Sequence, residues 1–339
     1  MNAILGSCFL SFLISFFGIK YLIFLLNKYQ EFQPIRTDGP KFHLLKKAKT
    51  PTMGGIVITI SILTNILLFC NLASPYVQIA ICIILTFSII GLLDDVVKVF
   101  FKNTDGFAGA KKLVLQLLVT SACVLYMVSQ NTDYLNHQIH LPFFNFELNF
   151  CVLIAPIYVL IICGSSNATN ITDGLDGLLS LPIVFISLTL ILFSVLMMNG
   201  YHFSKITLDY GLLHDIIIVL TSTATSFACF LVCYNRNPAK IFMGDVGSLM
   251  SGALLCYIAI LLKVEVLYGI MSILFVVEIV STILQVLCYI VTHGQKKLFK
   301  MAPFHHHLEK CNWSERKIVI VMWLFSFCCC LLATILFFM

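Results

Sequence analysis

Long apolar blocks separated by short polar ones set the rhythm of this chain. Ten blocks stand out, at roughly 3–27, 53–72, 76–97, 113–130, 150–166, 175–198, 212–233, 247–262, 266–292 and 317–338. A helix needs about 20 mostly apolar residues to cross the hydrocarbon core of a bilayer. The blocks are strings of Leu, Ile, Val and Phe and lack the short alternating segments of an outer-membrane barrel. The pattern predicts an all-α polytopic membrane protein with about ten transmembrane helices, forming a single integral-membrane domain over residues 1–339. The first block is too long for a signal-peptide core, and basic residues follow it instead of preceding it, so it is expected to be retained as a helix. The ninth, at 27 residues, makes about 40 Å of helix at 1.5 Å per residue, against a core of about 30 Å. It is expected to tilt, kink or protrude, and to carry the histidine-containing loop after it back over the polar face.

Composition agrees with the pattern. Sixty percent of the residues are hydrophobic and 11% are charged, with a mean hydropathy of +0.98, which excludes an ordinary soluble domain. The 14 cysteines lie almost entirely inside the apolar blocks without a CxxC pair. They read as small packing residues, with neither a disulfide framework nor a metal site indicated.

Charge adds an orientation. Of the 21 basic residues, 18 fall in the first, third, seventh and ninth connections, among them Lys46, Lys47, Lys49, Lys98, Lys112, Arg236 and Lys240. By the positive-inside rule the odd connections are cytoplasmic and both termini lie outside. The net charge of +5 is then mainly a topological signal, and nucleic-acid binding is not implied.

Polar chemistry gathers on that same face. The fifth connection, NATNITDGLDGL at 167–178, carries Asn167, Asn170, Asp173 and Asp176 with no basic residue; carboxylates at a membrane edge are costly and usually mark a site. The third block ends in GLLDDVVKV, placing Asp94 and Asp95 in a last helical turn with Lys98 following. The bland reading is an exposed ion pair worth a few tenths of a kcal/mol. Adjacent carboxylates at a helix C-terminus also repel each other and the helix dipole, and so call for a cation. The seventh connection, YNRNPAKIFMGDVGSL, brings Asn235, Phe242, Gly244 and Asp245 to the edge; Asp245 is equally readable as the N-cap of the eighth helix or as a functional carboxylate. In APFHHHLEK the consecutive His305, His306 and His307 point apart on a helix or a strand. They cannot all reach one zinc ion, and suit phosphate contact or proton transfer better, with at least one free to be structural. Any single lysine near TPTMGG in the first connection is most simply a partner for lipid headgroups. Together, carboxylates, lysines, histidines and Gly-bounded turns suit Mg²⁺-assisted chemistry on a phosphate, with a lipid as one reactant.

TPTMGG (50–55), GLLDDVVKV (91–99), NATNITDGLDGL (167–178), YNRNPAKIFMGDVGSL (234–249) and PFHHHLE (303–309) together resemble the polyprenyl-phosphate N-acetylhexosamine-1-phosphate transferase family, in its muramoyl-pentapeptide branch. The resemblance covers nearly the whole chain. It implies transfer of phospho-MurNAc-pentapeptide from UDP-MurNAc-pentapeptide to undecaprenyl phosphate, giving lipid I and UMP, at the cytoplasmic face of a bacterial inner membrane. It implies Mg²⁺, held by Asp245, with Asp94, Asp95, Asp245 and His305 catalytic. It also implies Asn170 and Asp173 near the diphosphate or sugar, Gly174, Leu175 and Asp176 near the uridine, Asn235 and Phe242 at the uracil, and Lys98 and Lys112 near the phosphates. Gly244, His306 and His307 complete the implied substrate-binding set, and a homodimer is a family expectation. Thr169 and Ile171 depart from the family pattern and are not expected to carry chemistry.

Two mechanisms fit these residues: attack by an enzyme carboxylate with a covalent intermediate, or direct in-line attack by the lipid phosphate positioned by Asp94. The second is favoured because the lipid phosphate is already anionic and needs positioning more than activation. Two rival functions are a GlcNAc-1-phosphate transferase on the same lipid, and a secondary transporter with Glu278 as its ion site. The three-histidine motif speaks against the first. Against the second stand the absence of an obvious internal repeat and the charges gathered on one face; Glu278 is expected to be hydrogen-bonded to a neighbouring helix.

Overall fold

The computed structural model describes residues 2–29, 50–101, 109–130, 138–141, 146–150, 153–201 and 208–339. In chain order the elements are α1 (Asn2–Tyr29), α2 (Gly55–Phe69), α3 (Pro75–Phe100), α4 (Gly109–Gln130), a hairpin of β1 (Gln138–Leu141) and β2 (Phe146–Asn149), α5 (Ile154–Thr172) and α6 (Ser180–Met198). They continue with α7 (Tyr210–Phe230, running on as a π-turn over Leu231–Asn235), α8 (Gly244–Leu261), α9 (Glu265–Met271), α10 (Ile273–Val291), α11 (Phe304–Lys310) and α12 (Glu315–Phe337). Among the described residues, nine helices are long and apolar enough to cross a membrane, and α2 is a shorter apolar helix. At 15 residues α2 spans about 22 Å. Residues 51–54 lead into it through backbone bonds to Phe242, Phe242 N donating to Pro51 O at 2.8 Å and Gly54 N to Phe242 O at 2.9 Å. The antiparallel hairpin, with Gln138 opposite Asn149, is an addition that the apolar pattern gave no reason to expect.

Helix starts follow local chemistry. Pro75 occupies the first turn of α3, where its missing N–H costs nothing. Asp209 caps α7 through Gly211 N and Leu212 N, and Ser314 caps α12 through Lys317 N, satisfying donors that would otherwise be orphaned. The ninth block is divided: Ser272 separates α9 from α10, and its hydroxyl donates to Tyr268 O at 2.6 Å, a local bond that competes with the helical ladder and bends the chain. The expected single long helix is thus two, α9 and α10, meeting at Ser272. Beyond Ser281, α10 has no buried residue. The chain then turns back, with Gln285 Oε1 accepting from Leu298 N and Phe299 N at 3.1 and 2.8 Å.

The core is organised around α8, whose residues from Val246 to Ile260 are all buried. Between apolar helices in lipid, close backbone approach and interhelical hydrogen bonds drive association, and both are visible. Gly55 of α2 lies against the backbone of Gly247, Gly91 of α3 against the backbone of Asp245, and Gly252 of α8 against Ser165 and Thr169 of α5. Thr169 Oγ1 also donates to Ser248 O at 2.8 Å, so its departure from the family pattern serves packing. On the far side, α1, α2 and α7 are joined by Ser11 to Ser222, Asn65 to Ser11 and Ser226 to Ser61, each at 2.9 Å.

Candidate active site

Three helices converge at the head of α8. Gly91 lets α3 run against the backbone there; a Cβ at this position would strike the Asp245 carbonyl and Val246 N. One turn further along α3 come Asp94 and Asp95, 3% and 1% exposed. They do not sit in the last turn, because α3 continues to Phe100; the apolar pattern ended the helix too early. This places the carboxylates inside the bundle. Lys98, four residues after Asp94, forms an ion pair with it and reaches Asp245 Oδ1 at 3.3 Å. From the first turn of α4, Lys112 reaches Asp245 Oδ2 at 2.5 Å.

Asp245 is not an N-cap. The helix begins one residue earlier, at Gly244, and Met243 occupies the cap position without a side-chain bond. Asp245 is therefore in the first turn, where the helix dipole favours an anion, and its oxygens are turned to the two lysines. Asp95 does the capping instead, its Oδ2 accepting from Val246 N at 3.4 Å. Gly244 adopts φ +77°, open to glycine at little cost, and a side chain there would collide with Asp95 Oδ2.

One ligand oxygen from each of Asp94, Asp95 and Asp245 lies within 4.8 Å of the others. A hard, all-carboxylate donor set of this kind suits Mg²⁺ or Mn²⁺, and three carboxylates against two lysines leave negative charge for a cation to compensate. Thr52, 2% exposed, has no hydrogen-bond partner for its Oγ1 among the described residues, and that oxygen would lie 3.0 Å from a Cβ on Gly244. A buried orphan hydroxyl beside the cluster is what a ligand would satisfy. Sequence reasoning missed Thr52 as an individual residue although its motif stood out. The lysines at 46, 47 and 49 lie outside the described residues.

The 167–178 stretch closes α5 and turns toward α8. Asn170 Nδ2 donates to Ser248 Oγ at 3.2 Å, three residues along α8 from Asp245. Asp173 caps the C-terminus of α5, and Gly174 is exposed while Leu175 and Asp176 are buried. Asp176 is held by protein: its Oδ2 accepts from Ala239 N at 3.0 Å and Asn237 Nδ2 at 3.2 Å, and its N–H donates to Glu315 Oε1 at 3.2 Å. Asn235 is also fully engaged, accepting from Gly177 N at 2.9 Å and Ser180 Oγ at 3.3 Å and donating to Ile241 O at 3.2 Å. Both residues tie loops together, Asp176 also lines a cavity with Arg236 and Asn237, and Phe242 is half-buried.

The three histidines of α11 have different partners, although the rings of His305 and His306 lie 4.3 Å apart between centroids. His307 accepts from Lys300 N at 3.1 Å and packs against Phe299 and Phe304 at 5.5 and 5.9 Å between ring centroids, a structural seat. His306 Nδ1 is 2.6 Å from Glu309 Oε2. His305 is 1% exposed and turned toward Gly174, so the returning chain does bring one histidine to the 173–177 turn.

Comparison with known proteins points the same way. Residues 77–263 match the model of glycosyl transferase family 4, and residues 47–58 match phospho-N-acetylmuramoyl-pentapeptide-transferase signature 1. Similar curated proteins carry the name phospho-N-acetylmuramoyl-pentapeptide-transferase. That of Rickettsia bellii (strain OSU 85-389) is 39% identical over 327 residues, 96% of this chain and 88% of its own. That of Buchnera aphidicola subsp. Baizongia pistaciae is 38% identical over 338 residues, 97% and 96% of the two chains, and that of Orientia tsutsugamushi (strain Ikeda) is 41% identical over 325 residues, 94% and 88%. Likeness that runs nearly from end to end, well beyond the motifs alone, makes the affiliation plain: the chain belongs to glycosyl transferase family 4, among the phospho-N-acetylmuramoyl-pentapeptide-transferases.

Proposed function

We propose that this chain transfers phospho-MurNAc-pentapeptide from UDP-MurNAc-pentapeptide to undecaprenyl phosphate, releasing UMP and forming lipid I, at the cytoplasmic face of a bacterial inner membrane. The observation that carries the reading is the gathering of Asp94, Asp95 and Asp245 within 4.8 Å with Lys98 and Lys112 closing on them. An oxygen of the lipid phosphate attacks the β-phosphorus of the UDP-sugar, the bond from that phosphorus to the bridging oxygen breaks, and UMP leaves with the oxygen.

Asp245, with Asp94 and Asp95, would hold Mg²⁺, which supplies charge neutralisation to the diphosphate when bound. The lysines are placed to turn from carboxylate to phosphate as substrate arrives, so that charge is balanced at each stage. Asp94, buried and steadied by Lys98, positions the attacking phosphate; direct displacement needs no more of it than this. Asn170 and the exposed backbone of Gly174 meet the sugar nucleotide, and Phe242 offers the uracil a face.

An apolar cavity of about 320 Å³ opens between α5, α8, α9 and α10, lined by Leu160, Ile161, Phe275, Val276 and Ile279 among others. It gives the isoprene units of the lipid an apolar wall.

The test is UMP release by the detergent-solubilised protein with undecaprenyl phosphate and Mg²⁺, offering UDP-MurNAc-pentapeptide or UDP-GlcNAc, with EDTA as control. Release with the muramoyl substrate alone, and lost with EDTA, is expected. Release with UDP-GlcNAc in its place would refute the substrate assignment.

A further inference from the structure

Glu278 and His305 lie 27 residues apart, on α10 and α11, and are both buried, at 0% and 1% exposure. Glu278 Oε2 lies 3.0 Å from His305 Nδ1 and 3.4 Å from the His305 backbone N, so one carboxylate oxygen grips both the ring and the start of the short helix that carries it. The other ring nitrogen, Nε2, is buried and has no hydrogen-bond partner among the described residues. It is aimed at Gly174: a methyl group placed on that glycine would land on Nε2. Gly174 itself is exposed, so the buried imidazole edge lies directly beneath a residue that is open to a ligand.

A buried Glu–His pair contributes little net stability compared with two apolar side chains of the same volume, and a carboxylate in an apolar helix is costly to insert. Such a pair is explained better by what it does to the histidine. A carboxylate at Nδ1 commits that nitrogen to being the donor, which leaves Nε2 as the only position able to exchange a proton or a hydrogen bond with anything outside the pair. Orientation of the ring is fixed by the same contact, as it is for histidines whose second nitrogen is anchored at metal and catalytic sites.

We infer that Glu278 is a positioning residue that holds His305 in its Nδ1–H form with Nε2 presented over Gly174 to the diphosphate of the sugar nucleotide. This rests on the transferase reading above for the identity of the ligand, while the arrangement of the pair stands on the geometry alone. It also gives Glu278 a role other than a transported-ion site, since its Oε2 is held by a histidine on the neighbouring short helix.

The experiment combines steady-state UMP release with ¹⁵N spectroscopy of histidine-labelled full-length protein in detergent, His305 being assigned by its loss in His305→Asn. In the wild type the His305 signals are expected to show a protonated Nδ1; the reverse tautomer would overturn the inference. Glu278→Gln keeps shape but lets its amide donate to Nδ1. It is expected to lower kcat by about 10- to 100-fold while KM for the UDP-sugar moves less than about threefold, and to disturb the His305 signals. Unchanged kcat with a folded protein would refute the role. Glu278→Asp, which retains a carboxylate, is expected to recover part of the lost kcat, and it decides the matter if Glu278→Gln does not fold. Should the wild type release no UMP, the transferase reading fails, and the tautomer still reports on the pair independently.

Discussion

Lys112 Nζ sits 2.5 Å from Asp245 Oδ2, so the first turn of α4 supplies a cation to the first turn of α8. With Lys98 on the other oxygen at 3.3 Å, Asp245 is enclosed by ammonium groups while it belongs to the carboxylate set that would hold a divalent ion. A carboxylate serves as lysine partner or as metal ligand through the same lone pairs. In the proposed reaction the two lysines are the groups placed to meet phosphate once a cation takes over the carboxylates.

Removing the carboxylate should thus remove the response to metal. Asp245→Asn is expected to lower UMP release by at least about 100-fold. Added Mg²⁺ should raise the thermal midpoint of the wild type, because a ligand that binds only the native state stabilises it, and should leave that of Asp245→Asn unmoved. A variant whose midpoint still rises with Mg²⁺ would place the ion elsewhere.

Asp94 makes a separate prediction. It is 3% exposed and paired with Lys98, and its proposed task is to place the lipid phosphate. Asp94→Asn is expected to retain binding of the UDP-sugar, measured by calorimetry, and to lose turnover. Near wild-type turnover would exclude Asp94 from both the direct and the covalent mechanism.

Gly91 sets how closely α3 approaches the head of α8. Its replacement by Ala would put a methyl group into the backbone of Asp245 and Val246, and overpacking of this kind costs about 1–3 kcal/mol. Gly91→Ala should lower the thermal midpoint and the activity together, since the same displacement separates Asp94 and Asp95 from Asp245. Gly109→Ala is the control, as a Cβ there meets nothing within 4 Å; equal losses in both variants would show that close approach at Gly91 is not the cause.

How much of this was legible beforehand depended on the kind of signal. Apolar length located ten segments because lipid imposes it on every spanning helix, and the motif loops were visible because polar residues are rare in such a chain. Helix ends were misread where polar residues continue the helix, as at Asp94 to Phe100, since hydropathy changes there while backbone geometry does not. Asp245 was equally readable as a cap or a ligand because the two sit at neighbouring positions; the helix start at Gly244 and the two lysines arriving from other helices separate them. Glu278 was visible as an anomaly, but its partner is 27 residues away on an element that no periodicity announces. The roles of Asn235 and Asp176 as loop clamps were hidden for the same reason, their partners being backbone groups brought in by the fold.

Asn235 is the sharpest of these clamps. Its Oδ1 holds Gly177 N and Ser180 Oγ, and its Nδ2 holds Ile241 O, tying the fifth connection to the seventh. Asn235→Ala would leave these buried groups unsatisfied at about 1–3 kcal/mol and loosen the turn around Gly174. KM for the UDP-sugar is expected to rise more than kcat falls, and Asn235→Asp, which keeps the acceptor, should be milder. An Ala variant that lost kcat alone would argue for direct participation in the chemistry.

The opposite end of α8 provides a test of the fold away from the carboxylate cluster. Lys263 Nζ donates to Tyr158 Oη at 2.9 Å, Tyr158 Oη donates to Glu265 Oε1 at 2.9 Å, and Lys263 and Glu265 are 3.8 Å apart with side chains 5% and 6% exposed. Burial pushes the Lys263 ammonium down and the Glu265 carboxyl up from their ordinary values, each partly countered by the other's charge. The two shifts act on stability in opposite senses. Glu265 contributes most below its unfolded value and loses that as pH rises through its raised folded one; Lys263 contributes above its unfolded value and loses that as pH falls through its lowered one. Neither charge is therefore comfortable alone. Lys263→Met should destabilise by about 3–5 kcal/mol by stranding the carboxylate, measured by thermal or denaturant unfolding in detergent. Adding Glu265→Leu should restore most of the loss, because the pair contributes little net stability while either half without its partner costs a great deal. If the double variant is no more stable than the single, the losses are packing effects and the coupling between the charges is negligible.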